Sequence, residues 1–315
     1  MVAVALLFPG QASQEAGMAN ALCEGSAAAR AVYALADQVT GLPITRLCRE
    51  GSLEELTPTN IAQVAVVTTS LASAAAIEEC LGAPLAALAV AGHSVGELAA
   101  MACAGALDTE TALRLVHRRG ALMAEASSKV DGSMAAVLGL EPEVLEEVCA
   151  TVSKELGQYV QVANVNAPGQ VVLSGTRTAL DRAIELARGQ GAQRAIPLKV
   201  SGPFHSVYMQ PAADAFRNFC ADAAIAAPRI PVVLNPTAQA EMAPDALRVE
   251  LSQQITQPVR WVESLHRMWG LGCRRFVEVG PGKVLTGMVR RTLPEAETQA
   301  VRTPGEAALV AAELR

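Results

Sequence analysis

Gly92-His93-Ser94-Val95-Gly96 places a hydroxyl between two glycines, after an apolar run from Leu85 to Ala91 and before an Ala-rich stretch from Glu97 to Ala106. Strand, tight turn and helix in that order is the setting in which Gly-x-Ser-x-Gly forms a nucleophile elbow. A Cβ at either glycine would collide with strand or helix. The helix N-terminus behind Ser94 favours developing negative charge. The pattern by itself also fits a Gly-rich strand–helix connection with an incidental serine.

A serine hydroxyl needs a general base within hydrogen-bond reach, and histidine is the usual one. Four histidines are available. His93 lies inside the elbow, where its side chain points away from that of its neighbour, and reads as structural. His117 and His266 fall in helical patterns as ordinary core or surface residues. His205 follows Gly202-Pro203-Phe204 on a loop; base and plain loop residue are both open readings of it. No Asp is placed as a triad acid: Asp108 starts a helix, and Asp131 and Asp181 belong to another segment. A backbone carbonyl or amide side chain is the alternative that would orient His205. The oxyanion would be met by the Val95 N–H and by a donor from a strand-end loop, for which the loop carrying Gln11 is best placed.

These residues need a scaffold. The chain has 315 residues, enough for a full core, and is 51% hydrophobic but only 3% aromatic. Small side chains in that proportion suit a helix-rich α/β protein. The net charge of −6 argues against generic nucleic-acid binding, which wants a basic surface. No run of eighteen uninterrupted apolar residues occurs, so no membrane span is expected. Val2 to Phe8 reads as a buried strand and not as a signal peptide, because it lacks a basic start and runs into Pro9-Gly10. Seven dispersed cysteines without a Cys-x-x-Cys pair point to reduced thiols in a cytoplasmic protein. No His, Cys or carboxylate cluster has metal-ligand spacing.

In chain order, helices are expected at Ala27 to Val39, at Ile61 to Leu81 capped by Thr59 or Asn60, and at Asp108 to Ser127 with Asp108 as N-cap. From Ser133 to Val200 the pattern becomes β-α-β-β-α-β, the ferredoxin-like order. Residues 130–199 therefore read as a small subdomain inserted into a larger α/β domain made of 1–129 and 200–315. Beyond it come a helix from Tyr208, a strand Ile230 to Leu234, helices Asp245 to Ile255 and Pro258 to Leu271, and a strand Arg275 to Val279. A helix Lys283 to Thr292 and a last strand and helix complete the chain.

Seven motifs then occur in order: Phe8-Pro9-Gly10-Gln11, Gly92 to Glu97, Arg118-Arg119-Gly120, Asn164 to Gln170, Phe204-His205-Ser206, Gln254 with Pro258-Val259, and Glu278 to Gly282. Together they resemble the malonyl-CoA:acyl carrier protein transacylases and the acyltransferase domains of polyketide synthases, over residues 4 to 292. The resemblance implies an α/β-hydrolase-like domain with a parallel sheet and an inserted ferredoxin-like subdomain. It implies ping-pong transfer, with Ser94 as nucleophile and His205 as base, held by main-chain carbonyls including that of Gln254. Gln11 would support the oxyanion hole and Arg119 would grip the malonyl carboxylate. The physical case for Arg119 is that a planar guanidinium binds a carboxylate bidentately. Arg118 is read as an ordinary helix-surface arginine.

Val95 after the serine and Phe204 before the histidine resemble the malonyl-selective signature, with Phe204 crowding an α-methyl group. The substrate is thus expected to be malonyl-CoA, the partner an acyl carrier protein carrying the phosphopantetheine, and no cofactor of the chain's own is implied. Lys283, Arg290 and Arg291, with Arg274 and Arg275 nearby in sequence, are candidates for docking an acidic carrier. The family leans towards monomers. Competing readings are the transacylase subunit of a malonate decarboxylase, a serine hydrolase or thioesterase, and a non-catalytic carrier-binding scaffold.

Overall fold

The computed structural model describes residues 3–315. Its strands are β1 (Val4–Phe8), β2 (Ala89–Gly92), β3 (Gly132–Leu138), β4 (Val160–Ala167), β5 (Gln170–Thr176), β6 (Arg194–Pro197), β7 (Val232–Val233), β8 (Ala240–Glu241), β9 (Arg275–Val279) and β10 (Glu297–Val301). Six of them form one sheet in the order β10-β9-β1-β2-β7-β8. All neighbours in it are parallel except β7 and β8. β1 lies in the middle with all five residues buried, as a continuous apolar run without alternation demands when helices cover both faces. Val2, expected in this strand, lies outside the described residues.

The second sheet is antiparallel, in the order β4-β5-β3-β6. Helices Pro142–Leu156 and Arg177–Gly189 connect its strands, so the β-α-β-β-α-β order expected from 133 to 200 is the order found. It has its own core, in which Val137, Leu145, Val152, Leu173 and Leu180 are all buried. Val259, from the chain between two helices of the larger layer, donates its N–H to Ala163 (2.8 Å) and accepts from that of Val165 (2.9 Å). The two sheets are thereby tied together beside the Gln254–Pro258 loop.

Helix Thr59–Leu81 is long and apolar enough to cross a membrane, yet 83% of its most apolar window is buried inside the protein. It is a central core helix, packed on helices Ala27–Thr40 and Thr109–Ser128. Neither Thr59 nor Asn60 caps it. Pro58 holds the N-cap position without a side-chain bond, and the buried Thr59 hydroxyl turns to Ser201 (2.8 Å) and accepts from Gln11 Nε2 (3.3 Å). Asp108 does cap its helix, accepting from the Thr111 N–H at 2.6 Å.

The loop after β1, which lines a cavity beside Gln11, carries local strain. Ala12, exposed, has a φ of 77°, in the left-handed region that costs an L-residue about 1–2 kcal/mol. Replacement by glycine removes this cost and sacrifices no packing. Ala12→Gly is expected to raise the free energy of unfolding by about 1 kcal/mol, measured by urea titration.

Candidate active site

The elbow forms where β2 meets helix Gly96–Cys103, and its geometry explains both glycines. A Cβ on Gly92 would lie 2.0 Å from the Gly96 carbonyl carbon, and one on Gly96 2.2 Å from the Phe8 oxygen. Ser94 itself has a φ of 51°, a conformation that costs a non-glycine residue about 1–3 kcal/mol and persists only when its surroundings hold it. Asn235, at the end of β7, does so. Its Oδ1 accepts the Ser94 N–H at 2.7 Å and its Nδ2 donates to the Gly92 carbonyl at 2.6 Å.

His205 meets Ser94 across the cleft. Its Nε2 is 2.7 Å from Ser94 Oγ, and its φ of 54° is the second strained value at the site. The other ring nitrogen, Nδ1, lies 2.9 Å from the carbonyl oxygens of both Gln254 and Gln257. Two acceptors on Nδ1 require the proton there, so Nε2 presents a lone pair to the serine hydroxyl. Burial first, and then the positive charge of Arg119, push the His205 pKa down to about 3. The imidazole is therefore neutral, the form a base must have. Gln161 from β4 adds a bond from its Nε2 to the His205 carbonyl (3.1 Å), so the second sheet also braces this loop.

Arg119 is 1% exposed, which sets it apart from the exposed Arg118. Its NH1 donates to Gln63 Oε1 (2.7 Å), and its NH2 donates to Gln254 Oε1 (2.7 Å) and to Ser94 Oγ (3.2 Å). Burial lowers its pKa to about 10, which leaves it charged at neutral pH. Its Nε has no partner among the described residues. A buried guanidinium with a free donor, beside a nucleophile, can receive an anionic acyl group.

A cavity of about 350 Å³ opens onto Ser94 and His205. Gln11, Val95 and Phe204 all line it, and Met123, Met134 and Leu198 make its wall largely apolar. Among the described residues the backbone N–H groups of Val95 and Gln11 have no acceptor, whereas that of Ser94 is taken by Asn235. The Gln11 side chain is turned to Thr59. His93 bonds Asn166 Oδ1 through Nε2 (2.8 Å) and meets the Trp261 ring edge-on, a structural position; His266 is exposed. No carboxylate contacts His205 among the described residues.

The basic residues of the last third separate. Lys283 and Arg291 are exposed, and Arg291 NH2 bonds the side chain of Gln170, a cavity-lining residue. Arg290 instead bonds Thr298 near the start of β10 (2.9 Å). Arg274 stacks over Trp269 and Arg275 pairs with Glu313. These last two lie before or at the first residue of β9, the end opposite Gly280-Pro281-Gly282. Glu278, buried under that loop, accepts the N–H groups of Leu285 and Thr286 and so anchors the helix bearing Arg291.

Gln63, Asn235 and Gln257 are functional neighbours that the sequence reading missed. Each acts through bonds to residues 50 or more positions away, which leaves no local pattern to find.

The model of the acyl transferase domain family matches residues 5–311. The chain is 41% identical over 304 residues to the malonyl CoA-acyl carrier protein transacylase of Bacillus subtilis (strain 168), covering 96% of this chain and 95% of that one. The solved malonyl CoA-acyl carrier protein transacylase of Coxiella burnetii superposes with a TM-score of 0.94 at 35% identity, covering 99% and 98% of the two chains. A malonyl-transacylase solved in complex with its type II PKS acyl-carrier protein superposes with a TM-score of 0.93 at 36% identity, covering 99% of each chain.

Proposed function

The chain belongs to the acyl transferase domain family, and from that premise we propose that it moves a malonyl group from malonyl-CoA to the phosphopantetheine thiol of an acyl carrier protein. The observation that carries this reading is Ser94 Oγ held 2.7 Å from a neutral His205 Nε2 and 3.2 Å from the Arg119 guanidinium. Ser94 attacks the thioester carbonyl while His205 Nε2 takes the hydroxyl proton. The N–H groups of Val95 and Gln11 receive the oxyanion. Collapse expels the CoA thiolate, which takes the proton from His205. The carrier thiol then enters, gives its proton to His205 and displaces Ser94 from the malonyl ester, and the hydroxyl regains the proton. Gln254 and Gln257 stabilise the imidazolium through their carbonyls, as a triad acid would.

Arg119 on the acyl side favours a carboxylate-bearing group over the apolar chains of a lipase-like hydrolase. Around this site we read 130–199 as the ferredoxin-like subdomain of a hydrolase-like domain made of 1–129 and 200–315. Seven free thiols, six of them buried, fit a cytoplasmic enzyme, and we read it as a monomer. Mass analysis of a phosphopantetheinylated carrier protein, incubated with enzyme and malonyl-CoA, tests the reading. Malonylated carrier is the expected product; release of free malonate without carrier acylation would overturn it in favour of a hydrolase.

Phe204, 5% exposed on the cavity wall, sets extender choice. Phe204→Ser is expected to raise kcat/KM for methylmalonyl-CoA relative to malonyl-CoA by about 10- to 200-fold, the worth of one methyl in a shaped pocket. Carrier docking rests on Lys283, next in sequence to the cavity-lining Val284, and on Arg291, which bonds the cavity-lining Gln170, and less on Arg290. Arg291→Glu is expected to slow transfer to carrier by about 3- to 10-fold at low salt, while Ser94 acylation by malonyl-CoA is unchanged. Arg290→Glu should have the smaller effect in the same assay.

A further inference from the structure

Glu97 closes the elbow motif and has no part in the steps above, yet it is 0% exposed and lies behind the site. Its Oε1 accepts the Asn235 N–H at 2.7 Å and its Oε2 accepts Gln254 Nε2 at 2.7 Å. Gln254 Nε2 also reaches the Ser94 carbonyl, at 3.2 Å. The opposite atom of the same amide, Oε1, accepts from Arg119 NH2. An amide has one donor end and one acceptor end. With both Glu97 oxygens accepting, Gln254 turns its NH2 inward and so presents its oxygen to Arg119. We propose that Glu97 is a positioning residue for carboxylate-bearing acyl groups, acting through the Gln254 amide to aim the Arg119 guanidinium at the reacting serine.

Charge supports this arrangement. Glu250 is buried near Glu97, and one of its oxygens has no partner among the described residues. Burial pushes both carboxyls upward, Glu250 to about 8, and the neighbouring Glu250 pushes Glu97 further in the same direction. At Glu97 the Asn235 N–H, the Gln254 amide and the positive charge of Arg119 oppose that rise.

The proposal rests on the malonyl-transfer reading, and the experiment separates the two. Glu97→Gln keeps size but places an NH2 against either the fixed Asn235 N–H or Gln254. Relief comes by flipping Gln254, which then turns a donor towards Arg119. Rates of Ser94 acylation are measured with malonyl-CoA and with acetyl-CoA on one preparation, so that their ratio is independent of the folded fraction. The expected result is a fall in the malonyl-to-acetyl ratio of about 10- to 100-fold, one charge-assisted hydrogen bond, carried mainly by KM for malonyl-CoA. An unchanged ratio, including equal loss on both substrates, overturns the role of Glu97. Should Glu97→Gln yield no folded protein, Glu97→Asp is measured the same way; the shortened carboxylate is expected to lower the ratio less steeply, and an unchanged ratio again overturns the proposal. A wild-type protein that malonyl-CoA does not acylate removes the functional reading instead.

Discussion

Arg119→Ala is expected to cut kcat/KM for malonyl-CoA by about 10²- to 10³-fold while leaving acylation by acetyl-CoA within a few-fold of the wild-type rate. The guanidinium is desolvated, with 1% exposure, so a substrate carboxylate meeting it there exchanges strong bonds in a dry site. Truncating one partner of a buried charge pair typically costs about 2–5 kcal/mol. Arg119→Lys keeps the charge but loses the planar fork, and should recover only part of the malonyl rate. The variant also strands the side-chain oxygens of Gln63 and Gln254, which bond Arg119 at 2.7 Å. Stability is therefore expected to fall by about 1–3 kcal/mol per stranded acceptor, which a urea titration would measure. Comparison of the two acyl groups isolates recognition from that loss.

His205→Ala should lower the rate of Ser94 acylation by about 10²- to 10⁴-fold, the range for removal of a general base. The pH behaviour carries a sharper signature. Folded His205 has its pKa pushed down to about 3, whereas an unfolded histidine titrates near 6.5. Above about pH 6.5 neither state binds the proton, and the group contributes no pH dependence. As pH falls below that value, the unfolded chain takes up a proton that the folded chain refuses, so stability is lost progressively towards the folded pKa. Two results follow. The acid limb of wild-type acylation should lie well below pH 6, and the stability of His205→Ala should decline less steeply than that of wild type between pH 6.5 and 4. Stopped-flow acylation and urea titrations across that range measure both.

Where chemistry depends on residues adjacent in the chain, the sequence was easily legible. Gly92 to Gly96 announced the elbow because strand, turn and helix follow one another without interruption. The antiparallel sheet was equally visible, since β3 to β6 and their two helices alternate in pattern within about 70 residues. Local competition blurred the borders. The expected strand Leu85 to Ala91 begins only at Ala89, and Ile230 to Leu234 shrinks to Val232–Val233, where Pro231 and Pro236 interrupt the ladder. Short helices such as Ile44–Glu50 and Leu53–Leu56 lack enough turns to set a period and went unread. The supports of the site were hidden for a different reason. Asn235 holds Ser94 from 141 positions away, and Gln63 holds Arg119 from 56. Single polar residues acting across such separations have no signature until the chain is folded.

The central claim is that Ser94 carries the malonyl group. After brief incubation with malonyl-CoA and acid quenching, digestion and mass analysis of the peptide containing Ser94 test it most directly. A malonyl ester on Ser94, absent from Ser94→Ala and discharged by addition of phosphopantetheinylated carrier protein, is the expected result. An unmodified Ser94 peptide while malonyl-CoA is consumed, or the ester on another residue, would contradict it.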